Sequence, residues 1–70
     1  MMNENEIRYE YEYELALAAL DFSKNVGAWK RRRILFRTVY TVGNILRIPR
    51  EQVDEDFSEA IMHELERQTA

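Results

Sequence analysis

The sequence predicts an all-α protein in which three short helices form a small bundle. Apolar residues recur at helical spacing in three segments, which are separated near Gly27 and at Pro49. We expect helices over about residues 4–24, 28–47 and 50–68, and residues 1–70 form a single helical domain. Because a 70-residue chain without cysteine has a small core and no disulfide, we also expect self-association, most simply as a homodimer.

The first predicted helix has apolar residues on two of its sides. One stripe contains Ile7, Tyr11, Leu15, Ala18 and Phe22, and the other contains Tyr9, Tyr13, Leu17 and Leu20. A helix of this kind can contact two neighbours. Tyr9 and Tyr13 lie off the main apolar face, so they are our first candidates for a self-association contact.

Residues 7–14 allow a different interpretation, because apolar and charged residues alternate strictly there. Such alternation is typical of a strand, and a strand paired with a second copy would resemble the ribbon-helix-helix dimers that bind DNA. In that family the outward strand residues contact DNA, whereas here they are mostly glutamates that phosphates would repel. The Leu-rich and Ala-rich run at residues 15–20 favours one continuous helix instead.

The second and third predicted helices each have one apolar face. In the second, Leu35, Val39, Val42 and Leu46 form a stripe widened by Trp29, Phe36, Tyr40 and Gly43. In the third, the face contains Val53, Phe57, Ala60, Ile61 and Leu65. Asn25 and Gly27 mark the turn before the second helix, and Pro49 ends it. Met62 lies off the third face, either as an isolated exposed methionine or as an edge of the self-association contact.

Charge is divided into three blocks along the chain. Residues 1–23 carry −5, residues 24–50 carry +8 and residues 51–70 carry −6, which together give −3. The basic block could pair with the acidic helices on either side of it, which would favour one helix arrangement. Alternatively, it could form a basic binding surface.

The candidate binding residues all come from this basic block. They are Lys30, Arg31, Arg33, Arg37, Arg47 and Arg50. Such a density of cations can neutralise phosphates or bind an acidic protein surface, and Trp29 could stack on a base. The alternative is that Trp29 belongs to the core and the cations pair within the bundle.

Residues 39–57 resemble a helix-turn-helix. Gly43 stands where that motif has a small residue at a helix crossing, and residues 48–53 resemble its turn and the start of its recognition helix. Arg47 replaces the usual turn glycine, and acidic residues would face the phosphates. An ordinary helical hairpin explains the same pattern.

Catalytic and cofactor signatures are not found in the sequence. No nucleophile–base arrangement or glycine-rich phosphate loop is present, so we expect a protein that is not an enzyme and binds no cofactor. His63, Glu59 and Glu66 have a spacing that permits metal binding, but a solvated helix face explains them better. No apolar run is long enough to span a membrane and the N-terminus is acidic, so we expect a cytoplasmic protein.

These observations predict a small non-enzymatic interaction protein, a regulator or inhibitor that docks on a larger protein. The alternative is a nucleic-acid-binding regulator that uses the basic segment 30–50.

Overall fold

Three helices make up almost all of the described chain. The computed structural model describes residues 3–24 and 29–69, apart from the side chains of Trp29 and Arg31. The helices are α1 (Glu4–Ser23), α2 (Trp29–Ile45) and α3 (Arg50–Thr69), and each packs against the other two. The predicted all-α fold is confirmed, and the strand interpretation of residues 7–14 is wrong because those residues belong to α1. The predicted turn at Asn25 and Gly27 lies outside the described residues.

Local hydrogen bonds set the observed helix ends. The Asn3 side chain accepts a hydrogen bond from the backbone N–H of Glu6 at 2.9 Å, which caps α1. Helix α2 ends at Ile45, two residues before the predicted boundary near Arg47. The N–H of Arg47 donates to Asn44 O and that of Ile48 donates to Gly43 O, both at 3.0 Å, which is a Schellman turn.

This turn holds Arg47 in the left-handed region of backbone space, with φ of 60°. Glycine usually occupies that position, because a Cβ there is sterically costly. The carbonyl of Pro49 then accepts hydrogen bonds from the N–H groups of Gln52 and Val53, so α3 begins directly after the proline.

The helices run up, down and up. The Tyr11 hydroxyl donates to Asp56 Oδ2 at 2.8 Å, and Gln68 Nε2 donates to Ser23 Oγ at 2.9 Å, so α1 and α3 are parallel. Arg32 contacts Asp21 near the opposite end of α2 from Gly43, which lies against Tyr11. Helix α2 is therefore antiparallel to α1.

The core lies where the predicted stripes of all three helices meet. Its buried members are Tyr11, Leu15, Ala18, Val39, Val42, Val53 and Phe57, with Ile7, Leu35, Phe36, Tyr40, Leu46, Ile48 and Ile61 partly buried around them. Phe22 and Leu65, which belong to the predicted stripes, are 43% and 45% exposed, and the Phe22 ring stacks on Phe36 with centroids 6.3 Å apart. Both lie near the C-terminal ends of their helices, at the edge of the packed region.

Gly43 lies at the point where α2 approaches both other helices. A Cβ at this residue would lie 2.9 Å from Val53 Cγ2 and 3.4 Å from Tyr11 Cε1. The prediction of a small residue at a helix crossing is therefore confirmed. The close contact at Gly43 therefore sets the distance of α2 from the other two helices.

Candidate interaction surface

One side of α2 faces away from the core and carries three of the six predicted binding residues. We call it the α2 outer face, and its exposed members are Lys30, Arg33, Ile34, Arg37, Thr41, Asn44 and Ile45. These positions recur every three or four residues, so they lie along one side of the helix. Val39 and Val42, on the opposite side, are buried, which fixes the direction of the outer face.

The cations of the α2 outer face do not pair with the acidic helices. Among the described side chains, the ion pairs are Arg8–Glu4, Arg32–Asp21 and Arg67–Glu64. Lys30, Arg33 and Arg37 take part in none of these. Pairing between the basic and acidic helices, the first explanation of the charge blocks, is therefore seen at Arg32. Lys30, Arg33 and Arg37 have no such partner among the described residues, which agrees with the second explanation, a basic binding surface.

The Arg32 side chain is partly buried between α1 and α2 and is not part of the α2 outer face. Its Nε donates to Asp21 Oδ2 at 3.4 Å, its Nη2 donates to the Asp21 carbonyl at 3.3 Å, and its guanidinium lies 5.4 Å from the centre of the Phe22 ring. Asp21 itself is buried. Sequence reasoning missed this pair, although Arg32 lies three residues before Leu35 and seven before Val39, which places it on their stripe.

A shallow groove extends the α2 outer face towards the turn. It has a volume of about 460 Å³ and is lined by Arg37, Tyr40, Thr41, Asn44, Ile48, Arg50 and Val53. The guanidinium of Arg50 lies 5.2 Å from the centre of the Tyr40 ring, within the range of a cation–π contact. Two of the predicted binding residues, Arg37 and Arg50, are thus brought to one groove from different helices.

The carboxylate of Asp54 offsets part of the positive charge near Tyr40 and Arg50 in this groove. The Tyr40 hydroxyl donates a hydrogen bond to Asp54 Oδ1. This bond, together with partial burial and the negative charge of Asp54, raises the pKa of Tyr40, while Arg50 opposes the shift. Positive charge is therefore less compensated at the N-terminal part of the α2 outer face than at the turn.

The remaining predicted residues fall in three places. Arg47 is exposed in the turn, and the side chain of Arg31 lies outside the described residues. Tyr9 and Tyr13 are exposed on α1, and their rings stack with centroids 6.5 Å apart. Met62 is exposed in a separate groove between α1 and α3, whose lining includes neither tyrosine. The structure does not bring the three self-association candidates into one patch.

The described residues do not form a metal-binding cluster around His63. No group of three or more histidine or carboxylate side chains among them is arranged to hold a metal ion. His63 instead lines the groove between α1 and α3 together with Glu59 and Glu66. None of the described helices is long and apolar enough to cross a membrane.

No protein-family model matches the chain, and comparison with curated proteins and with solved structures gives no significant match.

Proposed function

We propose that this protein is a small non-enzymatic regulator that docks the α2 outer face on an acidic surface of a larger protein. The observation that carries the proposal is the exposure of Lys30, Arg33 and Arg37 along one side of α2, with no ion pair to any of them from the described residues. Like charges on one helix repel each other, so an external carboxylate surface would relieve that repulsion.

Exposed isoleucine among these cations favours a protein partner. Ile34 is 64% exposed and lies four residues after Lys30 and three before Arg37. Protein interfaces combine an apolar centre with arginine, and an amphipathic helix that fits a groove presents anchors at this spacing. Burying one isoleucine side chain contributes about 1.5–3 kcal/mol, whereas a phosphate backbone offers little apolar surface.

Acidic residues near the turn disfavour docking on nucleic acid through α3. Glu51, Asp54 and Glu55 are exposed in the first turns of that helix. In a helix-turn-helix these turns would approach the phosphates, which supply most of the non-specific affinity. The acids of α3 would oppose that attraction, so we rank a nucleic-acid partner second.

A charge reversal on α2 tests the proposal against a matched control. Arg33→Glu with Arg37→Glu changes the outer face, and Arg8→Glu with Arg67→Glu makes the same change of net charge on α1 and α3. Wild type and both variants would be used as bait in the native host, with retained proteins quantified by mass spectrometry. We expect acidic proteins to be retained by wild type and by the control and lost from the α2 variant.

Duplex DNA binding at two salt concentrations tests the alternative. We expect weak binding by wild type at about 50 mM salt and none at about 200 mM. Tight DNA binding with a steep salt dependence, lost in the α2 variant while its circular dichroism is unchanged, would establish the nucleic-acid alternative. Equal retention of host proteins by both charge variants would show that the α2 outer face is not the docking surface.

A further inference from the structure

The groove between α1 and α3 is a second surface, and its charge is opposite to that of the α2 outer face. We call it the α1–α3 groove. It has a volume of about 690 Å³ and is lined by Tyr11, Glu12, Leu15, Asp56, Glu59, Ala60, Met62, His63 and Glu66. Leu15, Ala60 and Met62 make its floor partly apolar, and carboxylates from both helices stand along it.

Most of these carboxylates are available to an external cation. Glu12, Glu59 and Glu66 are exposed, and no ion pair joins any of them to the described residues. Asp56 differs, because it accepts hydrogen bonds from the Tyr11 hydroxyl and from Gln52 Nε2. Met62 is 62% exposed among the free acids, so the groove offers an apolar contact surrounded by negative charge.

We infer that the α1–α3 groove binds the α2 outer face of a second copy of this chain. The inference rests on the proposed function for its basic surface and adds a second copy of the chain, beside the larger protein, as an acidic partner of that surface. Net cationic and net anionic surfaces attract, and the isoleucine of one copy would pack against the methionine of the other.

The spacing of the residues matches in an antiparallel arrangement. On α2, Ile34 lies four residues after Lys30 and three before Arg37. On α3, Met62 lies four residues before Glu66 and three after Glu59. Running the two helices in opposite directions therefore pairs Lys30 with Glu66, Ile34 with Met62 and Arg37 with Glu59. The two charged pairs lie two helical turns apart on either side of the Ile34–Met62 pair, so one straight helix–helix contact can form all three pairs.

The bundle geometry decides what kind of assembly results. In a three-helix bundle each helix lies across the core from the groove between the other two, so the α2 outer face and the α1–α3 groove point to opposite sides of the molecule. Two copies cannot satisfy both surfaces at once around a two-fold axis. The contact is therefore head-to-tail, and it adds copies in a chain whose length depends on protein concentration.

Sedimentation velocity of the full chain tests this contact. Wild type would be measured from about 1 μM to about 1 mM, the range of weak association, at low and high salt. We expect growing oligomers that dissociate as salt is raised. Lys30→Glu with Arg37→Glu, and separately Glu59→Lys with Glu66→Lys, should each weaken association at least about tenfold, because two attractions become repulsions.

Complementation separates a direct contact from a general effect of charge. An equimolar mixture of the two double variants should associate again, and so should a single chain with all four substitutions. If a reversal unfolds the protein by circular dichroism, Glu59→Gln with Glu66→Gln tests the same contact without introducing repulsion. Tyr9→Ala with Tyr13→Ala serves as the control and should leave association unchanged.

Three results would overturn the inference. These are a wild type that is monomeric throughout the concentration range, association that persists in both double variants, and association that is lost only when the tyrosines are replaced. The last result would assign the contact to the stacked tyrosines of α1. If wild type is monomeric but the α2 variant still loses host proteins, this inference fails and the proposed function stands. If the chain self-associates as described but no host protein depends on the α2 outer face, the proposed function fails and this inference stands.

Discussion

Gly43 and Val53 are in such close contact that a Cβ on residue 43 would lie 2.9 Å from Val53 Cγ2. Val53 is 1% exposed, and a β-branched side chain has little freedom to rotate away. The absence of a side chain at Gly43 is therefore a condition for the packing of α2 against α3.

We predict that Gly43→Ala destabilises the protein although alanine is the better helix former. The gain in helix propensity is about 1 kcal/mol, and overpacking a filled core costs about 1–3 kcal/mol. The free energy of unfolding in urea should fall by about 1 kcal/mol. In a Val53→Ala background the clash is absent, and the same substitution should then be neutral or stabilising. Greater stability of Gly43→Ala in the wild-type background would show that the helices can separate without cost.

Arg47→Gly should stabilise the protein. A non-glycine residue in the left-handed region costs about 1–2 kcal/mol, and the greater freedom of glycine in the unfolded chain offsets part of this gain. We expect a net increase of about 0.5–1 kcal/mol by thermal or urea unfolding. Arg47→Ala removes the same charge but keeps the Cβ, so it should bring no such increase. Equal stabilisation by both variants would attribute the effect to charge.

Arg32→Ala and Arg33→Ala should differ sharply although the two residues are adjacent. The first removes hydrogen bonds and an ion pair to buried Asp21, and hydrogen bonds to charged groups contribute about 1.5–3 kcal/mol. The second removes an exposed cation that pairs with no described acid, and the change should stay within about 0.5 kcal/mol. Chemical denaturation of both variants compares them directly. Similar losses would mean that Arg33 also pairs within the bundle.

Phe57→Ala should cost about 3–5 kcal/mol of stability, as is typical of buried phenylalanine. Phe57 is buried and meets Phe36 edge-to-face, with ring centroids 4.8 Å apart. Phe36 is only partly buried, so Phe36→Ala should cost less than Phe57→Ala. Thermal unfolding followed by circular dichroism provides the ranking, and the reverse order would contradict this arrangement of the aromatic core.

Stability should fall in alkaline solution because of Tyr11, and to a smaller extent because of Tyr40, whose pKa is also raised. Burial, and then the hydrogen bond to Asp56 and its charge, raise the pKa of Tyr11 well above its ordinary value of 10.0. A raised pKa in the folded state means that the stabilising contribution is complete below the unfolded pKa and is lost as pH rises above it. Tyr11→Phe should therefore flatten the decline above about pH 10. Urea unfolding of wild type and Tyr11→Phe at several alkaline pH values measures this, and equal slopes for the two proteins would contradict it.

The helices and most of the core could be predicted because apolar spacing and punctuation are local properties. Stripes such as Leu15 with Ala18 and Val39 with Val42 are buried as expected. The exposure of Phe22 could not be predicted, since periodicity does not reveal where along a helix packing ends. Helix α2 ends two residues before the predicted boundary near Arg47, because Arg47 takes a left-handed conformation that glycine usually adopts.

The candidate site was predictable as a region but not pair by pair. Successive residues of a helix are separated by about 100°, so consecutive arginines point to quite different sides. Arg32 lies on the stripe of Leu35 and Val39, so helical spacing already separates inward Arg32 from outward Arg33. Which acid Arg32 meets depends on how the helices are arranged around the core, and Asp21 becomes a partner through that arrangement.

The basic α2 outer face and the acidic α1–α3 groove lie on opposite sides of a protein whose net charge is only −3, so positive and negative charge are separated across it. A molecule of this kind rotates in the field of a charged surface before contact is made. At a single pH it should be retained at low salt by both cation-exchange and anion-exchange resins, through different sides. Its approach to any charged surface would therefore begin with alignment, whichever sign that surface carries.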